Sequence, residues 1–517
     1  MGEIKNPEIL IIDLSSQLAA VIERTIRETG HRSAIFGPKG AKKWLEKNKP
    51  KGIFLSGGQQ SVYDEDALMP PDEILEMGIP IFGICYGMQW MAYKMGGRVV
   101  PNIGTKDISN KNYGETSVYF ESSDRIFKDI SHKEHKVWAS HGDSVQSVPS
   151  GFREIGWTNK GRTIMAMHDS GRGYYAVQFH PEAPETAIGK EILRRFVEDV
   201  CGCEKDWSAE NFIGQKRDEI AYVMKGKKAV LAYSGGVDSS VTLGIAHPVL
   251  GERLGTFCID TGALREGELH EIVSNAREIG ISNLRVLFRS REFFSAVGNS
   301  IDAEEKRKGF QSIYGPLLDH EGKAFGAKFV FQGTNKADRV ESGKAGRSGH
   351  IKSHHNEVEI ELIKYNPLQD LFKYEIRALA YKLGLSEEIA ERMPFPGPGI
   401  FLRVNGILVT PDKVEIVRWA DKMTMQMFKK HNIYKEISQC PVSLNGVPTV
   451  GVSGDGRVYK YSIVIHPVQT IDFMTSRGFQ VPAHIRREVT RELTKHHEIV
   501  RVYWDEGDKP KASTEPE

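Results

Sequence analysis

One cysteine flanked by two glycines is the clearest candidate nucleophile in the chain. The segment GICYG, residues 83–87, follows an apolar run of strand length and precedes a helical pattern. Glycines two residues before and after a nucleophile permit the sharp turn from strand to helix that exposes the reactive side chain. The start of the helix favours the thiolate, which is the attacking form. These two glycines disfavour the alternative, in which Cys85 is an ordinary buried residue at a strand end.

A base and an orienting carboxylate for this thiol lie about 95 residues further along the chain. The segment QFHPE, residues 178–182, is predicted to follow another strand, and ligands collect at the strand ends of α/β sheets. A nucleophile needs a base, and the base needs a third group to orient it. We therefore predict a catalytic triad of Cys85, His180 and Glu182. His141, in the segment SHGD, is a second candidate base that we interpret as structural or substrate-facing.

A second glycine-rich segment, SGGVDSS, lies in the middle of the chain. It follows the apolar run Ala229–Tyr233 and precedes another helical pattern. Such a loop turns backbone N–H groups and the positive end of a helix towards one point, which favours phosphate. It lacks the Gly-Lys-Ser/Thr ending of the ordinary P-loop, which excludes a kinase or GTPase signature. The alternative is a plain Gly/Ser turn. The predicted phosphate contacts are Ser234, Gly235, Gly236, Val237, Asp238, Ser239 and Ser240.

Acidic and basic residues around this loop are candidates for metal and anion binding. Asp238 is a carboxylate beside the predicted phosphates, which is reasonable if Mg²⁺ lies between them. Asp338 and Glu341, three residues apart, have the reach to share that ion; the alternative is two solvated surface acids. The cationic, glycine-spaced segment 343–349 is predicted to form a lid over the phosphates. Lys352 is predicted to bind an anion.

The composition is that of a cytoplasmic protein with several domains. A chain of 517 residues is expected to form about three domains, since a domain usually contains about 100–200 residues. With 69 basic and 68 acidic residues, the balanced charge gives no support for nucleic-acid binding. We expect no signal peptide and no membrane partner, since no segment approaches the roughly 18 apolar residues of a membrane span. The five cysteines are scattered without a C-x-x-C motif, which fits a reducing compartment.

Strand patterns alternate with helical patterns, which predicts an α/β fold class. The strands predicted in the first region are Ile9–Asp13, Ser33–Phe36, Gly52–Leu55, Pro80–Ile84 and Gly173–Phe179. A parallel sheet is predicted in the middle region, from Ala229–Tyr233, Thr256–Asp260 and Lys328–Gln332. The segment PFPGPG, residues 394–399, marks a boundary. Beyond it we predict the helices Val414–Lys430 and Val481–His497 and the strands Thr449–Val452, Val458–Ile465 and Val500–Trp504.

These motifs resemble those of two known families. The predicted triad resembles that of the class I glutamine amidotransferases, which hydrolyse glutamine through a glutamyl thioester and release ammonia. SGGVDSS resembles the pyrophosphate-binding loop of the N-type ATP pyrophosphatases, which cleave ATP between its α and β phosphates. The first resemblance implies an oxyanion hole and a glutamine site formed by Gly57, Gly58, Tyr86 and Gln89.

Together with IKSHHN, NPLQDLFKYEIR and PFPGPG, these motifs resemble the GMP synthase (glutamine-hydrolysing) family over essentially the whole chain. The resemblance implies amination of XMP to GMP, with ATP cleaved to AMP and pyrophosphate through an adenylyl-XMP intermediate. It also implies a Mg²⁺ cofactor and a homodimer. The implied domains are an amidotransferase domain (1–203), a Rossmann-like ATP pyrophosphatase domain (204–398) and a C-terminal α+β dimerisation domain (399–517). The implied phosphate and XMP contacts are Lys373, Arg307, Gln439, Arg501, Lys509 and Glu515.

The C-terminal end departs from the pattern of this family. Family members end in KPPATIEWE, whereas this chain ends in KPKASTEPE, so that Thr514 and Pro516 replace apolar residues. This change motivates an alternative, a paralogue that aminates a different purine nucleotide. A nucleotide-binding scaffold without turnover is a third hypothesis, which the presence of every reactive group opposes. For Arg307 the alternative is a solvated charged helix.

Overall fold

The computed structural model divides into two compact units, residues 1–208 and 209–517. The residues that the structure describes are 7–100, 112–128, 130, 134–158, 163–282, 284–341, 360–453, 456–470, 476–508 and 513–515. Within these ranges, every helix is too short or too polar to cross a membrane. Lys352, Lys509 and the predicted lid at 343–349 lie outside the described residues, as does the side chain of Glu341.

The first unit contains a nine-stranded sheet in the order β2-β1-β3-β4-β11-β10-β9-β6-β7. The strands of this unit are β1 (Ile9–Ile12), β2 (Ser33–Phe36), β3 (Gly52–Leu55), β4 (Ile81–Ile84), β5 (Arg98–Val100), β6 (Asn112–Phe120), β7 (His135–His141), β8 (Ser144–Ser147), β9 (Arg153–Thr158), β10 (Ile164–Asp169) and β11 (Tyr174–Val177). Of these, β5 and β8 form a separate two-stranded sheet. Its helices are α1 (Ala19–Glu28), α2 (Pro38–Leu45), α3 (Tyr86–Lys94) and α4 (Gly189–Arg195).

Both faces of the parallel half of this sheet are buried. Ile9 and Ile11 pack into one apolar core, whereas Leu10 and Ile12 pack into another on the opposite face. Strands buried on both faces have continuous apolar sequences, and for this reason the five parallel strands were predictable to within about two residues. The antiparallel half, formed by β6, β7, β9 and β10, was not predicted, because its strands carry mixed polar and apolar residues.

The second unit contains a five-stranded parallel sheet, in the order β14-β13-β12-β15-β16, and a four-stranded sheet, in the order β17-β18-β19-β22. The strands are β12 (Ala229–Ala232), β13 (Leu254–Asp260), β14 (Arg285–Phe288), β15 (Phe329–Phe331), β16 (Ile363–Tyr365), β17 (Val404–Asn405), β18 (Val442–Ser453), β19 (Gly456–Ile465), β20 (Val468–Gln469), β21 (Arg477–Gly478) and β22 (Ile499–Trp504).

The helices of the second unit pack around these two sheets. They are α5 (Ala209–Met224), α6 (Val237–Leu250), α7 (Glu268–Glu278), α8 (Ser290–Val297), α9 (Ala303–Phe325), α10 (Lys336–Glu341), α11 (Lys373–Lys382), α12 (Glu387–Ala390), α13 (Pro411–Lys430) and α14 (Ala483–Leu493). One apolar core continues from Phe257 in the parallel sheet to Phe428 in α13 and Leu444 in β18. The further division of this unit near residue 398 therefore stays a prediction.

The mixed α/β architecture agrees with the fold class predicted from the sequence. One difference concerns β18, which is longer than the predicted Thr449–Val452. Gly446 and Pro448 interrupt the strand pattern, and the pairing of β18 with β19 shifts register between Asn445 and Thr449. Proline provides no N–H for strand pairing and is tolerated at such irregularities. The strand continues through the interruption because its partner β19 pairs with both halves.

Two candidate active sites

Cys85 connects β4 to α3 in a strained backbone conformation. Its φ is +53° and its ψ is −104°, a combination that residues other than glycine rarely adopt. The flanking glycines are required by close packing. A Cβ on Gly83 would lie 2.8 Å from the carbonyl carbon of Gly87, and a Cβ on Gly87 would lie 2.7 Å from the oxygen of Leu55. The strain therefore falls on the cysteine itself, as expected for a nucleophile elbow.

His180 is held between Cys85 and Glu182, and all three side chains are buried. The Nδ1–H of His180 donates to Oε1 of Glu182 at 2.9 Å, and the imidazole also hydrogen-bonds with the thiol of Cys85. Thr186, which sequence reasoning missed, braces the base: its hydroxyl donates to the carbonyl of His180 at 2.8 Å and accepts from Trp138 N at 2.9 Å. The structure thus brings the three predicted triad residues together.

The pKa of His180 lies well above its ordinary value. Burial lowers this pKa, but the negative charge of Glu182 and the hydrogen bond with Cys85 outweigh burial and raise it to about 10. A solvated histidine titrates near pH 6.5, at about its ordinary pKa. The charged imidazole therefore stabilises the fold fully below about pH 6.5, and this contribution is lost as the pH rises through about 10.

We expect Glu182→Gln to narrow the pH range of glutamine hydrolysis from its alkaline side. The amide retains a hydrogen bond to His180 but removes the charge that raises the pKa of the imidazole, so that the imidazolium is lost at lower pH. The alkaline limb of the rate profile should move down by at least about one pH unit, measured as glutamate release. Glu185→Gln, which changes an exposed carboxylate of the same segment, is the control. If the alkaline limb of the rate profile does not move, a group other than Glu182 stabilises the imidazolium.

His141 is not placed to act as the base. Its Nδ1 hydrogen-bonds with the carbonyl oxygen of Asp143 at 3.0 Å. Burial lowers the pKa of His141 to about 4, so that the ring is neutral at pH 7. The amide of Gln89 donates to the same carbonyl at 2.9 Å. His141 and Gln89 therefore hold the backbone of Asp143 beside the nucleophile.

The predicted oxyanion loop lies directly after β3 and against the triad. A Cβ on Gly57 would lie 3.0 Å from Cε1 of His180, and a Cβ on Gly58 would lie 2.8 Å from the oxygen of Leu14. A Cβ on Gly58 would clash with the backbone, and one on Gly57 would crowd the imidazole of His180. The ring of Tyr86 packs against Gly58, and its hydroxyl donates to the carbonyl oxygen of Leu68 at 3.2 Å. Ser56, in the same loop, accepts from Leu14 N and donates to the carbonyl of Gly57, both at 2.8 Å, which orients the loop.

The predicted phosphate loop joins β12 to α6. Gly235 has φ +71°, in the left-handed region, and a Cβ there would lie 2.7 Å from the side chain of Ile272. The hydroxyl of Ser239 donates to the carbonyl of Gly236 at 2.9 Å and pairs with the hydroxyl of Ser234 at 3.1 Å. Ser240 is fully buried, and its hydroxyl pairs with Tyr233 at 3.0 Å. The side chain of Ser240 therefore supports the loop from behind.

This loop forms one wall of a cavity of about 380 Å³ in the second unit. The cavity lies outside the carboxyl ends of β12 and β15, where the chain order of the parallel sheet changes direction and where ligands bind in such sheets. Ten of the residues predicted from the sequence line it: Ser234, Gly236, Val237, Asp238, Ser239, Arg307, Asp338, Lys373, Gln439 and Glu515. The candidate residues for ATP and for the acceptor nucleotide therefore face the same space.

Lys373 and Asp238 form an ion pair at the phosphate loop. The Nζ of Lys373 donates to Oδ2 of Asp238 at 2.6 Å. Burial raises the pKa of Asp238 and the nearby charge of Asp338 adds to this rise, whereas Lys373 opposes it. Oδ1 of Asp238 is buried without a hydrogen-bond partner among the described residues. Asp238 lines the cavity, so that its carboxylate lies beside the space in which a ligand can bind.

The predicted metal site consists of Asp238, Asp338 and Glu341. Among the residues that the structure describes, no three His, Cys, Asp or Glu side chains are close enough to hold a metal ion. One oxygen of Asp338 accepts from Asn335 N at 2.9 Å. The unpartnered oxygen of Asp238 fits a Mg²⁺ ion bound mainly by phosphate and water, because this ion needs only one or two carboxylates. Mg²⁺ binding stays a proposal.

The acceptor side of the cavity is anchored by a buried arginine that the sequence prediction missed. Arg403 is completely buried; it donates to Asp421 at 2.9 Å and contacts both carboxylate oxygens of Glu515 at 3.3 Å. Gln439 donates to Glu515 at 2.9 Å. Arg403 ends the apolar segment GIFLR, but nothing local in the sequence identifies its partner, 112 residues away.

The other predicted acceptor contacts have different outcomes. Arg307 is buried in the cavity wall. The alternative, in which Arg307 lies on a solvated charged helix, is therefore wrong. Arg501 is exposed on β22 and does not line the cavity. Its side chain points to the face of the strand that carries the neighbouring Ser462. A contact from Arg501 to a nucleotide in this cavity of the same chain is therefore not supported.

Comparison with known proteins covers almost the whole chain. The family model "Glutamine amidotransferase class-I" matches residues 10–200, and the model "GMP synthase C terminal domain" matches residues 426–516. A protein of Lactobacillus delbrueckii subsp. bulgaricus named "GMP synthase [glutamine-hydrolyzing]" is 38% identical, over 99% of this chain and 98% of its own length. A protein of Geobacillus kaustophilus with the same name is also 38% identical, over 98% of this chain and 99% of its own length.

One solved structure matches part of the chain. It is the crystal structure of a protein from Thermoplasma acidophilum that is described as a GMP synthase subunit. The identity is 27% and the TM-score is 0.31, and the match covers 38% of this chain and 96% of that chain.

Proposed function

The chain belongs to the GMP synthase [glutamine-hydrolyzing] family, and from this premise we propose how its two sites divide the reaction. The activity is glutamine-dependent synthesis of GMP, which makes the protein a ligase of purine nucleotide biosynthesis with ATP as a substrate. We propose that XMP is the acceptor and that ATP is cleaved to AMP and pyrophosphate. The observation that carries this proposal is the single cavity lined by both the phosphate loop and the acceptor candidates.

In the first site, Cys85 acts as the nucleophile. Its thiolate attacks the amide carbon of glutamine, and the N–H groups of the loop at Gly57 and Gly58 stabilise the oxyanion. The imidazolium of His180, held by Glu182, gives its proton to the departing ammonia, which leaves a glutamyl thioester. His180 then takes a proton from water, which hydrolyses the thioester to glutamate and regenerates the thiol.

In the second site, the loop 234–240 and Lys373 hold the β and γ phosphates of ATP. The C2 oxygen of XMP attacks the α phosphorus and displaces pyrophosphate, which gives adenylyl-XMP. Ammonia then attacks C2 and displaces AMP, which leaves GMP. Mg²⁺, when bound beside Asp238, would neutralise charge on the phosphates. Arg307, Gln439 and Glu515 orient the acceptor nucleotide from the opposite wall.

The alternative of a different purine acceptor is not favoured. The named relatives match over nearly their full length, including the C-terminal region. The altered tail also retains its anchor, because Glu515 is buried and bonded to Arg403 and Gln439. The replacement of apolar residues at Thr514 and Pro516 therefore leaves this carboxylate in the cavity wall.

Release of AMP tests the proposed function. Purified protein is given ATP, Mg²⁺ and ammonium with XMP, IMP, UMP or no acceptor, and AMP, ADP and phosphate are measured. We expect AMP and GMP in equal amounts, and only with XMP. Formation of ADP and phosphate, or AMP release that does not depend on XMP, would reject the proposal.

We also propose that the protein works in the cytoplasm. All five cysteines, Cys85, Cys201, Cys203, Cys258 and Cys440, are free thiols. Free thiols without disulfides support a reducing compartment.

An exposed apolar patch supports a homodimer formed through the hairpin of β18 and β19. Val450 and Tyr459 are directly paired and lie on one face, and Val452 lies on the same face two residues further along. Val452 is 78% exposed and Tyr459 is 62% exposed. Apolar patches of this kind mark interaction surfaces, and a second copy in two-fold symmetry covers both patches at once.

We expect Val452→Lys and Tyr459→Lys to convert the dimer to a monomer. A buried unpaired ammonium at such an interface costs several kcal/mol, on the order of 3–5, which raises the dissociation constant roughly a hundredfold to several thousandfold. Sedimentation velocity at micromolar concentration provides the measurement. Tyr222→Lys, at an equally exposed aromatic on α5, should leave the dimer intact. A dimer that persists in both hairpin variants would place the interface elsewhere.

A further inference from the structure

Arg392 forms a hydrogen bond with the backbone of the phosphate loop. It lies two residues after α12 and immediately before the segment 393–399, and it lines the cavity. Its Nη1–H donates to the carbonyl oxygen of Gly235 at 2.9 Å. This hydrogen bond joins residues 157 positions apart in the chain, and its side chain is 11% exposed.

The direction of the Gly235 carbonyl determines the direction of the next N–H. In a trans peptide the C=O of one residue and the N–H of the next point in opposite directions. The carbonyl of Gly235 is held towards Arg392, which directs the N–H of Gly236 away from Arg392. Gly236 lines the cavity, and the hydroxyl of Ser234 accepts from its N–H only at the long distance of 3.4 Å. This N–H is therefore available to an anion.

Without the hydrogen bond from Arg392, the Gly235–Gly236 peptide would be free to take an orientation that opposes phosphate binding. Gly235 has φ +71° and no side chain, so that its peptide groups can rotate at low cost. A rotation of the Gly235–Gly236 peptide would turn the carbonyl oxygen towards the cavity and the N–H away from it. An oxygen in that place repels phosphate, whereas an N–H attracts it.

Glu268 fixes the guanidinium of Arg392 in place. Its Oε1 forms a buried ion pair with Nη2 of Arg392, and its Oε2 accepts from Arg265 N at 2.6 Å at the start of α7. The carboxylate neutralises the guanidinium locally, which weakens its direct attraction for phosphate. The planar guanidinium of Arg392 thus uses one N–H group for the Gly235 carbonyl and another for Glu268. A lysine carries a single ammonium group and reproduces this geometry poorly.

We propose that Arg392 is a positioning residue for ATP: it orients the Gly235–Gly236 peptide so that the Gly236 N–H faces the pyrophosphate portion of the nucleotide. This inference rests on the proposed function of the cavity. It assigns Arg392 a role that is specific for the phosphates and independent of the acceptor nucleotide.

The test separates ATP binding from acceptor binding. Arg392→Ala and Arg392→Lys are assayed by AMP release with ammonium, with ATP and XMP varied in turn, and inorganic pyrophosphate binding is measured by calorimetry. A hydrogen bond with a charged partner contributes roughly 1.5–3 kcal/mol, so we expect Arg392→Ala to raise the KM for ATP and the Kd for pyrophosphate about tenfold or more. The KM for XMP should change less than about twofold, and Arg392→Lys should lie between the wild type and Arg392→Ala.

A neighbouring ion pair provides the matched control. Arg377→Ala removes the 3.3 Å ion pair between Arg377 and Glu391. Glu391 precedes Arg392 in the sequence, but the side chain of Arg377 does not line the cavity. This substitution should leave both KM values unchanged. Unaltered pyrophosphate binding in Arg392→Ala, or an equal rise in the KM for ATP and for XMP, would overturn the inference. Absence of XMP-dependent AMP release in the wild type would reject the proposed function, whereas the pyrophosphate measurement would still decide the role of Arg392.

Discussion

We expect Cys85→Ala to abolish GMP synthesis from glutamine and to leave synthesis from added ammonium intact. The thiol is the only proposed nucleophile for glutamine, and it is held in a strained elbow between His180 and the loop at Gly57. Alanine removes the sulfur without adding volume, so that the backbone of the elbow is retained. Loss of a covalent nucleophile costs at least about a thousandfold in kcat. Free ammonia enters the reaction after this step and bypasses the loss.

The measurement compares GMP formation from glutamine and from ammonium at equal protein concentration. Cys203→Ala, which changes another buried thiol of the same unit, is the matched control and should support both reactions. Two results would contradict the proposed division of labour: glutamine-dependent synthesis that survives in Cys85→Ala, or loss of both reactions in a variant with an unchanged melting temperature.

Asp238→Asn is expected to have the opposite effect, with ammonium-dependent AMP release lost and glutamine hydrolysis retained. The carboxylate lines the cavity, pairs with Lys373 through one oxygen, and has its other oxygen buried without a hydrogen-bond partner among the described residues. Asparagine has nearly the same size but no charge, so that Lys373 loses its ion pair and a bound cation loses a ligand. Removal of one such electrostatic group from a dry site typically costs about a hundredfold to a thousandfold in kcat.

AMP release with XMP and ammonium, and glutamate release in a separate assay, are measured for this variant. Asp218→Asn, at an exposed aspartate on α5, is the control for removing one negative charge from the unit. AMP release at the wild-type rate in Asp238→Asn would remove this residue from the ATP site. Loss of glutamate release as well would mean that the effect is not confined to the second site.

The two reactive segments were predictable because each is encoded within a few consecutive residues. A strand, a tight loop and the first turn of a helix follow one another directly at Cys85 and at the loop 234–240, so that the local sequence carries the whole geometry. Even there, the structure assigned some roles differently. The glycines beside Cys85 permit close packing while the cysteine takes the positive φ, and the hydroxyl of Ser240 faces the protein interior.

The sequence by itself determined which chemistry this protein can perform: a cysteine elbow, a histidine with a following glutamate, and a phosphate loop that is not a P-loop. Only the tertiary structure decided how these groups are tuned and held. The pKa of His180 depends on burial and on Cys85, which is 95 positions away in the chain. The contact of Arg403 with Glu515 and the hydrogen bond of Arg392 with Gly235 also join residues that are far apart in the chain. Hydrogen bonds and electrostatic interactions act over a few ångströms, whatever the number of residues between the partners, and folding alone brings those partners within range.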